Sequence, residues 1–230
     1  MMMTAKTIRT LLALAVVLLA NRVEAGVALG ATRVIYPADQ KQTALGLSNN
    51  NDKDTYLIQS WVENSDGKKD GRFVTTPPLF VMQGKKDNTL RIVDATNNSL
   101  VKDRESLFWI NVKAIPSADK AQQKDNTLQL AITSRIKLLY RPRDLSISPE
   151  DAPAKLTFKR RGKSLLITNP TPYFLTITEL NAGTQALANT MVPPMGFVTV
   201  DLLGSTASAL NYRTINDYGA LTAVMKGTLQ

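Results

Sequence analysis

The sequence predicts an all-β protein built as a sandwich, and three observations lead there. Strand-like runs recur at short intervals, separated by Asn, Gly and Pro turns. Helical periodicity is weak throughout. The stretch LQLAITSRIKLLYRP, residues 128–142, alternates Leu128, Leu130 and Ile132 with Gln129, Ala131 and Thr133, then runs on without Gly or Pro to Pro142. Extended, it reaches ~45 Å, far beyond a typical strand. Such a strand outgrows an ordinary sandwich sheet and leaves part of its edge unpaired. Unpaired apolar edges invite aggregation unless the protein uses them to bind something, so strand donation is the leading functional idea.

The other elements follow in chain order. A run over 27–36 ends at Pro37, and 43–47 precedes the turn-rich SNNNDKD. Residues 55–63, TYLIQSWVE, alternate well and meet the turn Asn64-Ser65-Asp66-Gly67. Runs at 73–75 and 79–82 flank Pro77-Pro78, and 89–93 and 106–114 lead to the long strand. Residues 142–153, rich in proline and carrying SPED, read as a domain junction, with the apolar Leu145 and Ile147 placed to pack between domains. Beyond it, strands are expected at 155–158, 164–168, 174–180, 197–202, 211–215 and 221–229. Asn169-Pro170-Thr171-Pro172 makes a rigid corner, and Asn181-Ala182-Gly183 a hairpin turn.

The first residues read as a signal peptide over 1–25. Lys6 and Arg9 form a positive start, 11–20 (LLALAVVLLA) is an apolar segment too short to span a bilayer, and Val23-Glu24-Ala25 spaces small residues for cleavage. The remaining 26–230 fits two domains of about a hundred residues or one large one. We place an N-terminal domain at 26–145 and a C-terminal domain at 146–230. No later segment is apolar enough to span a membrane, so an exported protein is expected.

Composition removes several chemistries. Without His or Cys there is no Ser-His-Asp or Cys-His nucleophile, no disulfide and no common zinc ligand set. No metal or cofactor is expected, and no nucleotide loop is visible. The net charge of +9 falls to +7 once the leader is removed. With no RNP aromatics, zinc-finger spacing or basic helix, a solvated basic surface explains it better than nucleic acid. A carboxylate hydrolase using Glu63 and Asp66 would need paired acids in a pocket, and the sequence shows no clear pair.

Several segments resemble a known family. GVALGATRVIYPA at 26–38, TPPLF at 76–80, DRESLFWINVKAIP at 103–116, LQLAITSRIKLLYRP, NPTPYF at 169–174 and NDYG at 216–219 are similar to the PapD-type periplasmic pilus chaperones. The resemblance implies two immunoglobulin-like domains in an L-shaped arrangement with a cleft between them. It implies a periplasmic, non-enzymatic protein without ATP that caps pilus subunits in 1:1 complexes and delivers them to an outer-membrane usher. It implies that Leu128, Leu130 and Ile132 fill the open groove of a subunit lacking its last strand, a β-strand addition. Arg33 and Lys137 would hold the subunit's C-terminal carboxylate, and Glu105, Arg141 and Asp217 would form an ionic link between domains. That link is expected to be worth ~0–1 kcal/mol, as exposed pairs are. The short polar segment 117–126 and the absence of Cys place the chain with chaperones of rod-shaped pili. An exposed edge would also permit free molecules to self-associate, and the sequence does not reveal whether they do. The alternative of a fimbrial subunit fits less well, because such chains carry a Cys pair and an N-terminal donor segment. Strict alternation puts Lys137 opposite Leu128, so a bulge or strong twist between them is expected.

Overall fold

A computed structural model describes residues 26–52, 54–117 and 129–230. The signal-peptide reading and the donor role of Leu128 lie outside the described residues.

The N-terminal half forms β1 (Val27–Leu29), β2 (Arg33–Pro37), β3 (Gln42–Asn49), β4 (Tyr56–Asn64), β5 (Phe73–Thr76), β6 (Leu79–Met82), β7 (Asp87–Asp94), β8 (Ser106–Pro116) and β9 (Ile132–Arg141). One sheet runs β1-β3-β7-β5 and the other β2-β9-β8-β4-β6. Alternate residues of each strand turn inward, so Leu45, Leu47, Ile58, Leu90, Ile92, Ile110 and Leu138 make a dry core between the sheets. Tyr36, Phe73, Phe108 and Tyr140 close one end, with Phe73 4.8 Å from Phe108 and 5.1 Å from Tyr36 between ring centroids.

The run expected as one strand over 27–36 is two. β1 pairs with β3, while β2 pairs in parallel with β9 in the facing sheet. The chain changes sheet at Gly30, whose N–H donates to the Gly46 carbonyl (2.8 Å). Propensity alone cannot reveal such a crossing, because both halves are equally strand-like. Its consequence is large. β2 covers β9 only from Lys137 to Arg141, whereas β8 pairs with β9 from Ile132 onward. The long strand also starts later than expected, at Ile132, with Leu130 in irregular backbone just before it.

The C-terminal half forms β10 (Thr157–Arg161), β11 (Ser164–Asn169), β12 (Leu175–Ala182), β13 (Gln185–Ala186), β14 (Thr190–Val192), β15 (Gly196–Asp201), β16 (Ala209–Thr214) and β17 (Met225–Thr228). A three-stranded sheet β10-β11-β15 faces a second sheet ordered β13-β12-β16-β17, with β14 also on β12. Phe158, Leu165, Ile167, Ile177, Leu202, Leu210 and Tyr212 fill its own core. Pro153 lies in a 3-10 helix, Ala152–Lys155, which delays the first strand to Thr157. The last strand is shorter than 221–229, because Leu221 instead bridges Ile215 across a turn. Leu145 and Ile147 pack on the second core, and Tyr173 Oη donates to the Ile147 carbonyl (2.7 Å).

Candidate functional site

The two domains meet around the start of β2. Arg33 and Lys137 are direct neighbours in the parallel β2–β9 register. Both side chains leave the face opposite Val34, Leu138 and Tyr140, which are in the core. Lys137 Nζ donates to Thr176 Oγ1 on β12 (2.8 Å), and Arg33 Nη1 donates to the Ile215 carbonyl after β16 (3.1 Å). Two cations from one domain thus reach the other and floor the cleft between them. Among the described residues neither makes an ion pair. Arg33 is 8% exposed, and its Nε is buried without a hydrogen-bond partner.

Burial, with Arg33 beside it, pushes Lys137 down to about 8. Burial also lowers Arg33, against the pull of Asp217 and Glu105. A buried and a partly buried like charge without a carboxylate between them are an unfavourable arrangement that a bound carboxylate would relieve. The stability consequence has a definite sign. Lys137 falls from 10.5 to about 8 on folding, so the unfolded chain holds that proton more tightly. The free protein should therefore gain stability as pH rises from about 8 to 10.5, and Lys137→Met should flatten that rise in urea unfolding.

Upstream of the cations lies the uncovered part of β9. From Ile132 to Ile136 the strand is paired with β8 on one side and lies beyond the reach of β2 on the other. Leu130 and Ile132 are 67% and 66% exposed. They border an apolar groove of about 330 Å³ at the open margin of the sandwich, with Val27, Leu29, Val112 and Ala114 among its walls. Ile132 shares its parity with the core residues Leu138 and Tyr140, and Lys137 has the other. The expected bulge between them is absent, since β9 stays in unbroken register with β8 from Ile132 to Tyr140. The apolar residues therefore turn to the sandwich margin and the cations to the cleft, on opposite faces of one unbroken ladder.

The charged trio also comes together. Arg141 Nε donates to Glu105 Oε1 (2.8 Å), and its two terminal nitrogens donate to Asp217 Oδ2 and Oδ1 (2.6 and 2.7 Å). Glu105 Oε2 accepts the Phe174 backbone N–H (2.8 Å), and Glu105's own N–H donates to the Pro172 carbonyl (2.9 Å). The Arg141 guanidinium lies 5.0 Å from the Tyr173 ring centroid. The expectation of an exposed, weak link is corrected here, because the Glu105 side chain is fully buried. Burial pushes the Glu105 carboxyl up, against Arg141 and the Phe174 N–H. Burial works against the Arg141 charge too, but Asp217 and Glu105 outweigh it and hold the guanidinium above its ordinary value. Glu105→Ala leaves Arg141 its bidentate pair with Asp217 but takes the acceptor from the Phe174 N–H, so it should cost about 1–3 kcal/mol, read from urea denaturation. Gly219, at positive φ in the NDYG turn, lies against Thr32, so the turn carrying Asp217 seats directly beside Arg33.

Sequence reasoning missed Thr176, the Ile215 carbonyl and Tyr173. They come from the second domain, and no local pattern marks a contact across a cleft. The carboxylates considered for hydrolysis look different in place. Glu63 accepts from Trp61 Nε1 (2.8 Å) and pairs with Arg135 (3.1 Å). The Trp61 bond chiefly holds its carboxyl below the ordinary range, the opposite of a general acid. Asp66 is exposed in the turn after β4.

Two family models match this architecture. Residues 26–146 match the N-terminal domain of PapD, described as a pili and flagellar-assembly chaperone, and residues 151–225 match the PapD C-terminal domain. The chain belongs to the PapD family of pilus-assembly chaperones. It is 65% identical to chaperone protein FimC of Escherichia coli (strain K12) over 213 residues, covering 93% of this chain and 88% of FimC. It is 64% identical to FocC of Escherichia coli, covering 90% of this chain and 91% of that one. The crystal structure of the periplasmic chaperone SfaE superposes with a TM-score of 0.79 at 60% identity, over 89% of this chain and all of that one. The SafB chaperone, solved with the Salmonella enterica SafA pilin, gives 0.80 at 30% identity, over 91% and 99% of the two chains. This is a family of chaperones and not of enzymes, and this chain is a pilus-assembly chaperone.

Proposed function

We propose that this chaperone, working in the periplasm, captures pilus subunits by taking a subunit strand onto the free edge of β9, and that it passes them to an outer-membrane usher. One observation carries the reading: the uncovered edge at Ile132–Ile136 ends where Arg33 and Lys137 stand side by side. β2 already occupies the slots opposite Lys137 to Arg141, in parallel. A guest strand in the vacant slots, with its terminal carboxylate at the two cations, must run in that same direction. It would continue the line of β2 upstream and pair with β9 in parallel.

In this arrangement Leu130 and Ile132 enter the guest's incomplete core, and the carboxylate anchor sets the register. A one-residue slip would turn every guest side chain to the wrong face, so a fixed end is worth having. The trio Glu105, Arg141 and Asp217 holds the angle between domains, so that Thr176 and Ile215 stay within reach of the cations. The unbound edge is open to a second copy of the chain, and self-association follows from the same geometry.

Co-purification from periplasm with quantitative mass spectrometry tests the reading. A pilin-like subunit in 1:1 ratio is the expected result. A chain that fractionates elsewhere, or that carries no subunit, would contradict it.

A further inference from the structure

The cleft uses only one layer of the second domain, the sheet containing β12 and β16. The other layer, β10-β11-β15, faces away and has a composition that the capture of subunits does not explain. Its register sets out three rows on the outer face: Thr157, Thr168 and Phe197; Lys159, Leu166 and Thr199; Arg161, Ser164 and Asp201. Lys163 extends the basic run at the β10–β11 turn, where Gly162 has positive φ. Among the described residues none of Lys159, Arg161 and Lys163 makes an ion pair. Arg160, between them, turns the other way and donates to the Ser205 and Ala207 carbonyls (2.7 and 2.8 Å). The one carboxylate on the face, Asp201, accepts the Leu203 N–H (2.8 Å) in the turn after β15.

The same face exposes a large apolar side chain. Phe197 is 64% accessible, and Met195 and Leu203, just outside the two ends of β15, are 47% and 56% accessible. Unpaired cations along β10 and an exposed aromatic ring on β15 of the same face suit a negatively charged, partly apolar surface. Headgroup phosphates of a bilayer take long flexible cations without demanding a fixed geometry, and an aromatic ring settles at the boundary with the acyl chains. A specific acidic protein would instead reward a fixed arrangement of bonds, and among the described residues no ion pair fixes Lys159, Arg161 or Lys163.

We infer that the outer face of the β10-β11-β15 sheet docks the protein reversibly on an anionic phospholipid bilayer. The inference is independent of the strand-capture reading, because its residues lie on the layer that does not line the cleft. It would hold the chaperone near a membrane while leaving the cleft open.

Cosedimentation with vesicles of equal phosphatidylglycerol and phosphatidylcholine, against phosphatidylcholine alone, is the test. Each cation near such a surface is worth about a fivefold change in partitioning, so Lys159→Ala/Arg161→Ala/Lys163→Ala should lower binding on the order of a hundredfold. Phe197→Ser should weaken it further, by about tenfold. Wild-type binding should also fall steeply with added salt, a reading that needs no variant. Subunit capture by the triple variant should be unchanged. The inference fails if the wild type ignores anionic vesicles, or if the triple variant binds them equally. It fails too if binding requires a membrane protein in the vesicle, which would make the face a protein-docking surface.

Discussion

Replacing Lys137 by alanine should cut subunit affinity by about ten- to hundredfold while leaving the fold intact or slightly more stable. The first half rests on the strength of a charge-assisted hydrogen bond, about 1.5–3 kcal/mol for each cation lost. The second rests on where Lys137 sits. It is half-buried beside Arg33 without a carboxylate, so removing it relieves a repulsion in the unbound protein. A variant that binds worse yet unfolds no earlier is the signature of a binding residue. Arg33→Ala should lower affinity similarly, but with some loss of stability: each cation gives up one bond across the cleft, but Arg33 is the buried one and its removal also empties a packed site. Titration calorimetry with a purified subunit and urea unfolding of each variant separate the two effects. If both variants bound the subunit as tightly as the wild type, the anchor role would be wrong.

Leu130→Glu with Ile132→Glu should lower capture by about a thousandfold or more. Two large apolar side chains contribute roughly 3–6 kcal/mol gross when fully buried in a guest. Their replacements would also force unpaired carboxylates into that apolar site. Both residues are about two-thirds exposed in the free protein, so the double variant should unfold at nearly the wild-type urea concentration. Ile110→Glu would behave the opposite way, since that residue is wholly buried and its loss destroys the domain. The contrast checks that the edge residues serve a partner and not the protein's own core. Normal complex formation by the double variant, seen by gel filtration with a subunit, would overturn the role of the edge.

Period-two alternation made much of this legible. Leu45 and Leu47, Ile58 and Val62, Leu90 and Ile92 sit in the core as their spacing implies. Of the alternating residues read as an edge, Leu130 and Ile132 are exposed, while Leu128 lies outside the described residues; β9 itself begins only at Ile132. The split of the first run into β1 and β2 was not legible, since the two halves differ only in which sheet they join. That split is what uncovers β9. Arg33 and Lys137 read as a pair only through family resemblance, because they are 104 residues apart and meet through a parallel register that no local pattern encodes. Glu105 looked like a surface charge. Its burial comes from the Pro172–Phe174 corner of the other domain closing over it.

Amide hydrogen exchange across β9, with and without a bound subunit, tests the central claim most directly. Among the described residues, those from Ile132 to Ile136 have a neighbouring strand on one side only, so in the free protein the amides that face the other side should exchange quickly. Binding a subunit should slow them strongly, while Leu138 to Tyr140, already flanked by β2 and β8, should change little. Unchanged exchange over 132–136 in a stable complex would mean that the subunit is held elsewhere, and that this edge is not where the guest strand is added.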